Sequence, residues 1–190
     1  LKLVNRIISD NQIASKKITF FDAPISGGEA GAINGTLSVM LGGGNKNSLI
    51  VRKLLKTFAK NIVHVGPNGH GQLTKMINQI CIAGLLQGLS EALSFGSQKK
   101  LDMNKVLDAI SQGAAQSWQM ENRAETMLND KFNFGFAVDL MIKDLKIALL
   151  EAKSLDLNLK VTKDILNRYK KLSDEGYGSY DTSSLIKLLK

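Results

Sequence analysis

The chain has 190 residues, 44% of them hydrophobic and 22% charged, and a formal net charge of +8. Such a composition excludes a disordered chain, and the one cysteine, Cys81, excludes an internal disulfide framework and fits a reducing compartment. The lysines are interleaved with acids, as in Lys143-Asp144-Leu145-Lys146, and only 6% of residues are aromatic, which indicates a solvated basic surface rather than a nucleic-acid footprint. No apolar run is expected to reach the length that spans a bilayer. The first residue is Leu1, so a targeting segment ahead of it stays open.

Both prolines, Pro24 and Pro67, fall in the first third, and the Gly-rich clusters lie at 27–35, 42–44 and 66–71. Two regions follow: an α/β portion over residues 1–67 and an all-helical portion over 68–190. In chain order, Leu1–Ile13 has helical apolar spacing through Leu1, Val4, Ile7 and Ile8. Ile18–Asp22 and Thr36–Leu41 are predicted strands, each closed by Pro or Gly. Ser48–Ala59 carries a helical stripe, and Asn61–Val65 is a third predicted strand ended by Gly66-Pro67. Strands and helices alternating this way indicate a wound parallel sheet covered by helices, of which the opening strands and Gly-rich turn are not in this sequence.

The rest is free of proline. One long helix is predicted from Asn68 through Ser97, whose small residues Ala83, Gly84 and Gly88 would let another helix approach closely, as a buried spine or a subunit interface. Further helices are predicted over Met103–Ser111 with Asp102 as N-cap, Ala114–Leu128, Ala137–Ser154 and Val161–Leu172, the last stopping near Gly176. Asp181 or Thr182 would cap a final helix to Leu189.

Chemistry-bearing residues sit in both portions. Ser26-Gly27-Gly28 follows a strand end, where a hydroxyl and exposed backbone N–H groups would cradle a carboxylate, or would simply make a tight turn. The same stretch nearly spells a dinucleotide fingerprint but lacks its first glycine and the following ribose acid. On the long helix, Lys75 shares a face with Asn78 and Gln79 at i+3 and i+4. Apolar neighbours would desolvate that lysine, lower its pKa and fit it for proton transfer. The same three residues would equally make a solvated helix face. Lys143 is a cofactor-facing cation or an i,i+4 partner of Asp139. Cys81 and Trp118 are expected in the core. His64 and His70 have no metal-ligand spacing, so no metal site is expected.

Together these segments resemble one family. Phe21-Asp22-Ala23-Pro24-Ile25-Ser26-Gly27-Gly28 with Gly31-Ala32, Gly35-Thr36-Leu37, Met40 and Gly42-Gly43 resembles the substrate motif of the β-hydroxyacid dehydrogenases. Gly66-x-x-Gly69-x-Gly71-x-x-x-Lys75-x-x-Asn78 is similar to their catalytic motif. Lys143-Asp144-Leu145 is similar to their cofactor motif, and Gly176-Tyr177-Gly178 with Asp181 and Ser183-Ser184 to their C-terminal signature.

The resemblance implies the C-terminal part of a Rossmann-type sheet plus a helical domain joined by a long helix. It implies reversible NAD- or NADP-linked oxidation of a small β-hydroxy acid to a semialdehyde. On that basis Lys75 is the general acid/base, Ser26, Gly27 and Gly28 hold the substrate carboxylate, Asn78 and Gln79 help bind substrate, and Lys143 contacts the cofactor. The family usually has Asn at the position of Gln79. Residues 1–190 alone are expected to bind a dinucleotide weakly and to be inactive. A homo-oligomer of two or four subunits, a cytoplasmic location and no membrane or nucleic-acid partner complete the expectation. The alternative is a non-enzymatic binding or scaffold module of the same fold that could contact nucleic acid.

Overall fold

The computed structural model describes residues 6, 9, 19–44 and 48–189. The helix expected over Leu1–Ile13 lies outside these residues except at Arg6 and Ser9. The chain divides into two compact units, residues 1–78 and 79–190.

The first unit is built on β3 (Leu37–Gly43), which pairs with the three other strands of the sheet. Its Leu37, Val39 and Leu41 alternate into the core, the period a half-covered strand requires. β1 (Phe21–Asp22) and β2 (Ile25–Ser26) both run antiparallel to it. Pro24, which lacks an N–H, separates these two short strands, yet its carbonyl accepts from Met40 N at 3.0 Å. β4 (Ala59–Gly66) runs parallel to β3. The sheet is therefore mixed, with parallel pairing between β3 and β4.

Two helices in this unit depart from the sequence reading. α1 (Gly28–Ile33) occupies a stretch read as a Gly-rich turn. Gly27, Gly28 and Gly35 take positive φ at its two ends, so the glycines bracket the helix rather than replace it. α2 (Ser48–Leu55) stops short of Ala59, which is buried as the first residue of β4. Leu37, Val39, Ala59 and Ile62 form this unit's core.

α3 (His70–Gln98) is a single helix of 29 residues. By length and composition alone it is long and apolar enough to cross a membrane, with a mean hydropathy of 1.2 over 18 residues, which corrects the expectation that no run has that length. Its Ala83, Leu86, Leu89 and Leu93 are buried in the core of the second unit, the environment of a central helix in a globular domain. The division between the two compact units falls within α3, between Asn78 and Gln79. Its first turns are bound to the sheet, whereas its later turns belong to the helical core.

The second unit holds α4 (Met103–Ile110), α5 (Trp118–Leu128), α6 (Val138–Ser154) and α7 (Lys160–Leu172). Asp102 caps α4, accepting from Lys105 N at 3.4 Å. α5 starts later than predicted because Ser117 caps it, accepting from Met120 N at 3.1 Å. A π-helical turn (Ser173–Tyr177), with Gly176 at φ 90°, leads into a 3₁₀ helix (Thr182–Leu189). One core cluster joins α3, α6, α7 and the 3₁₀ helix through Leu86, Met141, Leu145, Tyr169 and Leu185.

Asp181 ties this unit together. Its buried carboxylate accepts from Arg123 Nε at 3.1 Å, Phe136 N at 2.9 Å and Ser183 Oγ at 2.6 Å. A side chain at Gly135, which has φ 76°, would strike that carboxylate. Trp118, expected in the core, is 55% exposed and lies on the Arg123 guanidinium at 4.9 Å, with Phe134 also against that group. Cys81, also expected inside, is exposed on α3.

Candidate active site

In the first unit the site is organised by Asp22. This carboxylate is 5% exposed at the end of β1 and reaches across to the start of α3. It accepts from Gly69 N at 2.6 Å and from Gln72 N at 2.9 Å. Two of the N–H groups that a helix start leaves without intrahelical partners are thus met by one anion from a distant strand, at the helix's positive end. The packing is close: a Cβ at Gly71 would collide with Met40 O, and one at Gly42 with Asp22 Oδ1. Asn68 Nδ2 adds a bond to Phe20 O at 2.7 Å. The first turns of α3, and Lys75 on them, are fixed to the same strand segment that continues into Ser26.

Ser26 lies in β2 opposite Ser38 of β3. Gly27 follows at φ 129° and Gly28 at φ 61°, a backbone turn that only glycine takes without strain. Gly28 opens α1. Lys75 and Asn78 are half-buried on α3. At the carboxyl ends of β3 and β4, Gly43, Gly44, His64, Gly66 and Asn68 line an open cleft of about 480 Å³. His64 Nε2 there lies 2.8 Å from Gly43 O.

In the second unit, Gln79 is 2% exposed and donates from Nε2 to Asp144 Oδ2 at 2.7 Å. Lys143 Nζ lies 3.0 Å from the other oxygen, Asp144 Oδ1, with 61% of its side chain exposed. Lys143 therefore pairs with Asp144. Asp139, offered as its partner from the i,i+4 spacing, instead accepts from Ser173 Oγ at 2.6 Å.

Two residues that shape these sites were not singled out in advance. Asp22 stood in the sequence as a strand end and as a member of the substrate-motif resemblance, but its bonds to Gly69 and Gln72 lie 47 and 50 residues away and leave no local signal. Asp144 stood in the sequence within the cofactor-motif resemblance beside Lys143, without a role of its own. Among the described residues no group of three or more His, Cys, Asp or Glu could hold a metal ion.

A small α/β sheet followed by a helical domain along a long shared helix is the architecture with which the following matches agree. Residues 69–189 match the family profile described as the NAD-binding domain of NADP-dependent 3-hydroxyisobutyrate dehydrogenase. Residues 4–66 match the NAD-binding domain of 6-phosphogluconate dehydrogenase. The chain belongs to the β-hydroxyacid dehydrogenase family, whose cofactor is NAD or NADP.

Among curated relatives, an oxidoreductase of Shewanella frigidimarina is 48% identical over 169 residues, 89% of this chain and 58% of the relative. The 2-hydroxy-3-oxopropionate reductase of Escherichia coli is 41% identical over 90% of this chain and 58% of its own length. The chain thus spans about three-fifths of the length of these relatives. Among solved structures, 3-hydroxyisobutyrate dehydrogenase of Mycobacterium tuberculosis with L-serine superposes at a TM-score of 0.88 with 25% identity, covering 98% of this chain and 66% of that one.

Proposed function

We propose that the full-length protein is an NAD(P)-dependent oxidoreductase that reversibly oxidises a small β-hydroxy acid to its semialdehyde. The observation that carries this reading is the anchoring of the Lys75 helix to the Asp22 strand, directly ahead of Ser26, Gly27 and Gly28. That anchoring ties the helix carrying Lys75 to the strand segment that leads into Ser26, which supports reading the two as parts of one site. The names of the Escherichia coli and Mycobacterium tuberculosis relatives, and the L-serine in the latter structure, support a small hydroxy acid as the substrate class.

The residues present fit part of a nicotinamide dinucleotide. Open α/β sheets take ligands at the carboxyl ends of their strands, and the glycine-lined cleft beside His64 stands there. Among the described residues there is no Gly-rich phosphate turn followed by a ribose acid. When bound, the cofactor supplies the hydride acceptor.

The chain's own residues do the rest. Ser26 Oγ and the N–H groups of Gly27 and Gly28 hold the substrate carboxylate. The Lys75 amine, in its neutral form, takes the hydroxyl proton as the C–H bond gives up its hydride, and returns it in the reverse direction. Asn78, one turn beyond Lys75, orients the hydroxyl. Lys143 offers a cation to the cofactor. Gln79, placed beside Asn78 toward the substrate by the resemblance, also donates from Nε2 to Asp144.

The test is a screen of the full-length protein with 3-hydroxyisobutyrate, glycerate and serine, each with NAD and with NADP. Turnover of at least one β-hydroxy acid with one cofactor is expected. No reduction of either cofactor by any of them would overturn the reading.

A further inference from the structure

We propose that Gln79 is a positioning residue for Lys143, acting through the carboxylate of Asp144. The inference deepens the reading above and rests on it for the role of Lys143 toward the cofactor.

The argument starts from helix geometry. Lys143 and Asp144 are neighbours on α6, and neighbouring helix residues project about 100° apart, so they do not ordinarily meet. Here the lysine chain bends back until Nζ lies 3.0 Å from Asp144 Oδ1. The carboxylate it bends toward is itself held: the Asp144 side chain is only 13% exposed, and Oδ2 accepts from the Gln79 amide at 2.7 Å. The amide is buried on α3, with Met141 Sδ at 3.9 Å from the same nitrogen. One carboxylate therefore connects a buried, fixed donor to an exposed, flexible one. Its two oxygens divide the task, and the amine is drawn toward the α3 side of α6.

Side-chain length decides the link. Gln is one methylene longer than Asn, about 1.5 Å of reach. Asn at position 79 would leave the 2.7 Å contact open beyond hydrogen-bonding distance. The Gln that stands where the resembling family usually has Asn is thus the residue that can reach Asp144. Through that bond it constrains Lys143.

The test has two arms. In the first, amine labelling of the full-length protein with acetic anhydride is followed at Lys143 by mass spectrometry, with thermal melts confirming folding. Gln79→Met keeps the bulk and removes the donor; Asp144→Asn keeps the shape and removes the charge. Each is expected to raise Lys143 labelling about threefold. The double variant should add nothing further, since both act on one chain of contacts. Unchanged labelling in Gln79→Met, or a fully additive double variant, would overturn the proposal.

In the second arm, steady-state kinetics of the full-length enzyme compare Gln79→Met with Lys143→Gln. Both are expected to raise the cofactor KM by a similar factor while the KM for the hydroxy acid stays near wild type. A raised hydroxy-acid KM with unchanged cofactor KM in Gln79→Met would return Gln79 to the substrate and refute the positioning role. An unchanged cofactor KM in Lys143→Gln would instead remove the cofactor role of Lys143, and the labelling arm would then decide the positioning claim by itself.

Discussion

Asp22 shows how much a single side chain can decide. A buried carboxylate with two short bonds to helix N–H groups is a charge-assisted cap delivered from a distant strand. Asp22→Ala leaves those donors unmet in a close-packed place, so it should lower stability by about 2–4 kcal/mol, measured by urea unfolding. A loss below about 0.5 kcal/mol would show that water replaces the carboxylate there. Ser26 is a milder case, since its role is proposed toward the substrate alone. Ser26→Ala in the full-length enzyme should raise the hydroxy-acid KM about tenfold, one hydrogen bond's worth, with the thermal midpoint kept. An unchanged KM would place the carboxylate elsewhere.

At the scale of elements, the fully buried phenol of Tyr169 on α7 gives a pH signature. Burial, and then the charge of Asp181, push it well above the ordinary tyrosine value of 10.0. The unfolded chain releases this proton near pH 10 and the folded chain keeps it. The contribution of Tyr169 to stability is therefore complete below about pH 10 and is lost as pH rises beyond it, by at most about 1.4 kcal/mol per unit. The stability difference between wild type and Tyr169→Phe, from urea melts at pH 8 and pH 11, should shrink at the higher pH. A difference independent of pH would contradict the burial of that hydroxyl.

Elements differ in how openly the sequence announces them. The long helix, α6 and α7 were legible because their apolar spacing is helical and no proline interrupts them. Asp102 was legible as a cap because its partner, Lys105 N, lies three residues on. α1 was hidden by the glycines at its ends. The antiparallel placement of β1 and β2 was hidden because strand pairing is a long-range choice. In the candidate site, Ser26, Lys75 and Lys143 stand out in the sequence as motif residues, and their roles remain the proposal made above. The bond from Gln79 to Asp144 was not, for it closes over 65 residues.

At the scale of the molecule, apolar side chains left outside the second unit call for a covering. Leu85 is 47% exposed and Phe95 66% exposed on α3, and Leu150, Leu155 and Val161 are each more than two-thirds exposed where α6 gives way to α7. We propose that these surfaces meet their counterparts in a homo-oligomer. Light scattering after size exclusion should return a dimer or tetramer, and Leu85→Glu with Phe95→Glu should shift it toward the monomer. A monomer at all concentrations in the wild type would contradict the proposal.

The central claim is that the Lys75 amine moves the substrate proton. Its most direct test is Lys75→Ala in the full-length enzyme, with turnover of a β-hydroxy acid and binding of the reduced cofactor measured side by side. The account predicts a fall in kcat of about 10²–10⁴-fold with cofactor affinity within twofold of wild type. Turnover near the wild-type rate would contradict it.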